Sequence, residues 1–310
     1  MKLSGRINGT GILPAIIVAT LLVQFPTPAQ QGTANDWDTV AKAIGKVGTM
    51  QSGDVYKIGF PRSDLHVSAR GVQIKAAFAL GSWVAFKKME GATIVMGDLV
   101  LLEDEVPLVM TRLQQGGVEQ TALHNHVLGE SPRIMYMHIS AMGDGVKIAQ
   151  TIHDALALSK TPFGAPPSAS ASDSELGIDP KQIDQIMGQK GKVNSGVYQY
   201  SIPRDETITE GTGMVIPPSM GVAQAINFQP TGGGKAAITG DFVLTASEVN
   251  SVIRALRDNA IEVTAVHSHM LTESPRLFFM HFWANDDSLK LARGLRTALN
   301  SVKIARIPPQ

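Results

Sequence analysis

The chain has 310 residues, of which 44% are hydrophobic and 17% charged, with 27 basic against 27 acidic side chains. This composition excludes a largely disordered chain, and the charge balance argues against a general nucleic-acid binder, which would carry an excess of Lys and Arg. The absence of cysteine removes disulfides, thiolate zinc sites, iron–sulfur clusters and thiol nucleophiles, so demanding chemistry falls to His, Asp, Glu, Ser or an added cofactor.

At the N-terminus, Lys2 and Arg6 precede an apolar stretch over 11–25 whose one strongly polar residue is Gln24, and Pro26, Thr27, Pro28, Ala29 and Gln30 follow. The pattern predicts a secretory signal peptide over 1–30, cleaved near Ala29. The apolar run falls short of the roughly 20 residues of a membrane span. The expected protein is exported, periplasmic or secreted, with no membrane span after cleavage. No cysteine follows to carry a lipid.

Beyond that segment the chain is a duplication. Setting residue n beside n+143 aligns 97–138 with 240–281 without a gap and gives 20 identities in 42 positions. Further upstream the offset is 142, and Val55, Tyr56, Pro61 and Arg62 match Val197, Tyr198, Pro203 and Arg204. The predicted domains are 36–158 and 178–300, joined by a Pro/Ala/Ser linker over 159–177. A period this long means tandem domains, since solenoid repeats span about 20–50 residues.

Within the second copy, Thr245 and Glu248 form a capping-box pattern, and Val249, Val252, Ile253 and Leu256 follow at helical spacing, so a helix is predicted over 246–258. The first copy keeps Glu105, Val106, Val109 and Leu113 in register but has Leu102 at the cap position, a weaker helix signal. Strand-like runs precede each helix, two β-rich runs follow it, and closing helices are predicted over about 144–158 and 286–300. The fold class is α+β, with two tandem homologous domains, each a mainly antiparallel sheet with helices packed on it.

Six of the eight histidines fall in one repeated motif, H-x-H-x3-E-S-P-R-x4-H. Its members are His124, His126, Glu130, Arg133 and His138 in the first copy and His267, His269, Glu273, Arg276 and His281 in the second. Residues two apart on a strand share a face, and Glu-Ser-Pro-Arg reads as a turn between two apolar runs, so the motif predicts a hairpin. With Leu128 opposite Ile134, His126 faces Tyr136 and His124 faces His138, and three imidazoles share one face. In this register Met135, Met137 and Met280 point away, against a thioether-rich Cu(I) site. The pattern suits a divalent transition metal, zinc first, with copper, nickel or iron as alternatives. Glu130 and Glu273 are candidate oxygen ligands or general bases. Arg133 and Arg276 either pair with those glutamates, the preferred reading, or bind an anionic ligand beside Tyr136.

Other features carry less. Asp98 and Asp241 follow glycine and read as turn or bulge residues. His66 and His153 lack a histidine in the other copy and read as surface groups. Thr231-Gly-Gly-Gly-Lys235 lacks phosphate-loop spacing and reads as a hairpin loop.

The paired motif, with Phe-Pro-Arg-Ser-Asp at 60–64, Gly-Ser-Trp-Val-Ala-Phe at 81–86 and Phe-Phe-Met-His-Phe-Trp-Ala-Asn-Asp-Asp at 278–287, resembles the LppY/LpqO family of exported bacterial proteins. The resemblance spans essentially the whole mature chain. It implies export and a tandem domain of unknown function, and it supplies no reaction or catalytic residue. The chain departs from the lipoprotein members in lacking a lipobox cysteine. The leading expectation is therefore an exported two-domain protein binding a divalent metal through both motifs. The alternatives are a metal-dependent hydrolase, or a module holding a small-molecule or envelope ligand without metal. Whether the histidines make two sites or one shared site stays open.

Overall fold

The segment over 92–102, Ala-Thr-Ile-Val-Met-Gly-Asp-Leu-Val-Leu-Leu, is buried along nearly its whole length, and such a strand needs cover on both faces of its sheet. The computed structural model describes residues 35–164, 176–211 and 213–305. The predicted signal peptide and most of the predicted linker lie outside them. In the first repeat the elements are α1 (Asn35–Ile44), β1 (Thr49–Gln51), β2 (Val55–Pro61), β3 (Ser68–Ala69), β4 (Val72–Gln73), α2 (Ala76–Ala79), β5 (Gly81–Met89), β6 (Ala92–Leu102), α3 (Val106–Gln115), β7 (Glu119–His124), β8 (Glu130–Ser131), β9 (Ile134–Gly143) and α4 (Gly145–Leu156). The second repeat has α5 (Pro180–Met187), β10 (Lys192–Asn194), β11 (Val197–Pro203), β12 (Thr209–Glu210), β13 (Met214–Val215), β14 (Ala223–Gly232), β15 (Lys235–Thr245), α6 (Ala246–Asp258), β16 (Glu262–His267), β17 (Leu277–Asp287) and α7 (Ser288–Leu299).

Each repeat builds a six-stranded antiparallel sheet, in the order β1-β2-β5-β6-β9-β7 and β10-β11-β14-β15-β17-β16. Strand alternation divides each sheet into two apolar faces. On β6, Val95, Leu99 and Leu101 join the core formed with α1, α3 and α4, and on β15, Ile238, Phe242 and Leu244 join the corresponding core with α5, α6 and α7. The opposite faces meet each other: Ile94 and Met96 pack with Val243 and Phe279, and Val100 and Tyr136 pack with Ala237 and Trp283. The result is four layers, helices, sheet, sheet and helices, with the two α+β domains sharing an inner layer. Among the described residues no helix is long and apolar enough to cross a membrane.

Two crossing arms lock the sheets together. The segment between β2 and β5 reaches the second sheet, where the Lys75 amide donates to Gln229 Oε1 at 2.8 Å and Gln229 Nε2 donates to the Gln73 carbonyl at 2.7 Å. Its counterpart between β11 and β14 reaches back, and Ser219 Oγ donates to the Ser52 carbonyl at 2.8 Å.

The helix expectations hold for α6, which spans Ala246–Asp258, with Glu248 accepting from the Thr245 amide at 2.7 Å. In the first repeat Glu105 performs the same service for the Leu102 amide at 2.8 Å, but with no hydroxyl at Leu102 the helix starts later, at Val106. Both glutamates have a second partner that sequence spacing did not reveal. Arg62, fully buried, donates to Glu105, Asp64 and the Val100 carbonyl, and Arg204 repeats this with Glu248, Glu206 and the Val243 carbonyl. Removing one partner of a buried pair strands the other charge, at about 3–5 kcal/mol. Arg204→Met is accordingly expected to lower the urea-unfolding free energy by that amount; a loss under about 1 kcal/mol would show that the network is structurally idle.

Candidate metal centre

The motif strands pair as β7 with β9 and β16 with β17, but two residues away from the expected register. His124 lies opposite Tyr136 and Ala122 opposite His138; His267 lies opposite Phe279 and Ala265 opposite His281. The cause is the crossing arm. Glu130 and Ser131 pair with Ala69 and Ser68 of β3 rather than with β7, so the connection between the motif strands is longer and His126 falls in it. A shift of two preserves the face of the strand-borne histidines, and the loop residues His126 and His269 turn to the same side, against Tyr136 and His281 and against His138 and Phe279. Met137 and Met280 point into the helix-side cores, as expected.

The two motifs meet there as one site. His124 meets its own counterpart His267, with ring centroids 3.6 Å apart and planes tilted by 34°, while His126 meets His281 at 3.8 Å and His138 meets His269 at 3.6 Å. The last two pairs exchange under the repeat correspondence, as a pseudo-twofold arrangement requires. Thr121 and Thr264, the extra residues of matching β-bulges, clamp the two loops reciprocally. Thr121 Oγ1 donates to the His269 carbonyl at 2.6 Å, and Thr264 Oγ1 to the His126 carbonyl at 2.5 Å. One ligand nitrogen from each of His124, His267, His269 and His281 lies within 4.8 Å of the others.

Asp98 and Asp241 require a correction. They occupy regular central-strand positions, not bulges, and stand directly opposite His138 and His281. Asp98 Oδ1 lies 3.8 Å from His138 Nε2; Asp241 lies 3.5 Å from His269 Nε2 and 3.6 Å from His281 Nδ1. The signal available in the sequence was the Gly-Asp pair retained in both copies within an apolar run. The glycines have their own reason: a Cβ on Gly97 would fall 2.8 Å from the Trp83 carbonyl oxygen, and one on Gly240 1.9 Å from that of Ala225. Gly240→Ala is expected to cost at least about 1–3 kcal/mol through overpacking and to displace Asp241; unchanged thermal unfolding and unchanged metal affinity would contradict this.

Burial sets the protonation of the site. It lowers the His124 pKa to about 4 and that of His281 to about 3, and holds His126, His138, His267 and His269 well below the ordinary imidazole value. The same desolvation raises Asp98 to about 7 and Asp241 well above the usual carboxylate range. The imidazoles are therefore neutral, the form that ligates metals. His281 Nδ1 donates to the Gly240 carbonyl at 2.8 Å, which fixes the tautomer and leaves Nε2 as a lone pair, the usual outer-shell device of a ligating histidine. Yet Nε2 of His124, His126, His138 and His281, Nδ1 of His267, and Oδ1 of Asp98 and Asp241 are buried without a hydrogen-bond partner. At about 1–3 kcal/mol for each stranded group, this set would cost on the order of 10 kcal/mol, as much as a typical domain's whole stability.

The remaining candidates have other surroundings. Glu130 Oε1 accepts from the Ile134 amide at 3.2 Å and Glu273 Oε1 from the Leu277 amide at 2.9 Å, both closing the Ser-Pro turn, whose Ser131-Pro132 and Ser274-Pro275 bonds are cis. Arg276 pairs with Glu273 at 3.1 Å, whereas Arg133 reaches Glu103 at 3.7 Å with both side chains exposed. Tyr136 is buried, stacks on His126 at 3.3 Å and donates to the Ala79 carbonyl; Phe279 stacks on His269 at 3.5 Å. His66 is exposed, and His153 is half-buried between helices, its Nδ1 3.0 Å from the Ile44 carbonyl. The Thr231–Lys235 segment is the β14–β15 turn, with φ of 60° at Gly233 and 75° at Gly234.

No curated protein matches the chain. Among solved structures it is similar to PduB, a trimeric bacterial microcompartment shell protein, at 12% identity over 81% of this chain and 89% of that one, with a TM-score of 0.20. It is also similar to EtuB from Clostridium kluyveri, at 11% identity over 82% and 89%, with a TM-score of 0.19. Scores this low carry neither fold nor function across. A family match covers 38–158 and again 181–301, the two stretches that fold into the paired sheets. The chain thus belongs, twice over, to the family described as Domain of Unknown Function (DUF1259).

Proposed function

We propose that the inner layer holds a divalent transition metal, zinc first, with copper, nickel and iron as alternatives, and that the two repeats share this one centre. The observation that carries the reading is the set of buried, unpartnered imidazole nitrogens and carboxylate oxygens converging from both repeats. A cation held by His124, His267, His269 and His281 compensates several of them at once and offsets the charge of the nearby carboxylates, whereas a packing role leaves each stranded. The donor set of neutral nitrogens and hard carboxylates suits zinc at Zn–N distances of about 2.0–2.1 Å. The reading is of metal binding rather than hydrolysis, because Glu130 and Glu273, the candidate bases, are occupied in holding the turn. The finer assignment to the exported LppY/LpqO proteins, and with it a periplasmic or secreted location, belongs to the same proposal and rests on the motif segments and the charged and apolar pattern of 1–30.

The test is metal content, by inductively coupled plasma mass spectrometry, of tag-free mature protein purified without chelators. About one equivalent of a transition metal per chain is expected for a single shared centre. Protein that takes up none, even after reconstitution with zinc, copper, nickel and iron in turn, would exclude the reading.

A further inference from the structure

The inner layer is symmetric in its histidines but not in the space beside them. A cavity of 530 Å³ borders His126, His138, His269 and His281, and an adjoining one of 960 Å³ shares Lys57, Trp83, Asp98 and His126 with it. Lys57 stands on β2 where the second repeat has Gln199. Trp83, opposite Gly59 on the first ladder, matches Ala225, opposite Ser201 on the second. Thr239 on β15 takes the place that Met96 holds on β6. Lys57, Trp83 and Thr239, all three without a like residue in the other repeat, thus fall around one cavity.

The partners of Lys57 show the same divergence. Gln199 is satisfied by neutral groups, donating to the Ala77 carbonyl at 2.7 Å and to Asn227 Oδ1 at 2.9 Å. Lys57 Nζ donates to the Ser219 carbonyl at 3.0 Å and lies 3.9 Å from the Trp83 ring centre, and it is attracted to Asp98 without forming a direct ion pair among the described residues. Its environment brings its pKa down to about 8 by desolvation, so it remains largely an ammonium at neutral pH, with two N–H donors beyond the one given to Ser219. Thr239 Oγ1, in the same cavity, is buried without any hydrogen-bond partner. Gly221, at φ 93°, lies so close to Trp83 that a Cβ there would come within 2.9 Å of the ring, so the arm of the second repeat closes directly over this wall.

We propose that this cavity binds a small organic oxyanion, a carboxylate or phosphate monoester, whose charged end is held by Lys57 and Thr239 beside the metal and whose apolar part lies against Trp83 and Phe78. The inference rests on the metal reading, because the bound cation supplies, beside Lys57, the positive charge that draws an oxyanion into the cavity. Lys57 and Thr239 then supply the unpaired donors, and the aromatic wall supplies apolar contact, the usual composition of a small-molecule pocket.

Isothermal titration of the zinc-loaded chain with phenyl phosphate, benzoate and neutral benzyl alcohol tests this. At least one anion is expected to bind saturably, and benzyl alcohol is expected not to compete; binding of phenyl phosphate alone or of benzoate alone assigns the oxyanion type. Lys57→Gln, which installs the residue of the second repeat, is expected to weaken binding by about tenfold or more with zinc content unchanged, and Thr239→Val by several-fold. Either variant suffices should the other fail to fold. Zinc bound with neither anion binding, or anion binding undiminished in the folded variants, overturns the inference and leaves the metal reading standing. A chain that takes up no zinc overturns both.

Discussion

Zinc added to the metal-free protein is expected to raise its thermal midpoint by roughly 10 °C. A ligand that binds only the native state stabilises it by RT ln(1 + [L]/Kd), about 4 kcal/mol at a thousandfold excess over Kd, and each kcal/mol moves the midpoint of a chain this size by about 2–4 °C. The effect is large because the metal replaces lost hydration on several buried groups at once, those of His124, His267, His269 and His281, one from the first repeat and three from the second. Because those groups come from both sheets, the shift should appear in one cooperative transition. Differential scanning fluorimetry with zinc, and with calcium as an oxygen-preferring control, measures it. A midpoint indifferent to zinc, copper, nickel and iron would contradict a shared centre.

Metal-free protein is expected to lose stability as the pH falls below about 6.5. The buried imidazoles have folded pKa values below the unfolded one, down to about 4 for His124 and about 3 for His281. Between those values and 6.5 the unfolded chain binds the extra protons, so stability declines with falling pH, by up to about 1.4 kcal/mol per pH unit for each imidazole. Asp98 opposes this. Its folded pKa, raised to about 7, makes the native state the better proton acceptor between about 3.8 and 7, and Asp241 acts in the same direction. Glu130, raised to about 7 by burial, does so as well, and six imidazoles against three carboxylates leave the imidazoles dominant. Urea midpoints at about pH 7.5, 6 and 5 should fall in that order; equal or rising midpoints would show that the histidines titrate as exposed groups.

The legible part of this protein was its local periodicity. The duplication, the span of α6 and the common face of the two strand-borne histidines in each motif follow from spacing alone, and the last holds despite the changed register because an even shift does not change the face. What failed depended on distant chain. Nothing within 124–138 reveals that Ser68 and Ala69 will pair with Ser131 and Glu130 and lengthen the loop. Asp98 looked like turn chemistry because a lone carboxylate in an apolar strand makes sense only once the facing His138 is known. Above all, a strand pattern specifies that a face is buried without specifying what buries it. Here the cover is the other repeat, brought in by the arms through Gln229 and Ser219, so six histidines that read as two sets of three become one cluster.

That cluster is most directly tested by metal content in half-site variants. His124→Ala/His126→Ala and His267→Ala/His269→Ala each remove ligands from one repeat and leave the other motif intact. In a shared centre either variant, folded and chelator-free, is expected to lose essentially all of its tightly bound metal. Retention of half the wild-type metal by each variant would mean two independent sites and would contradict the single centre between the sheets.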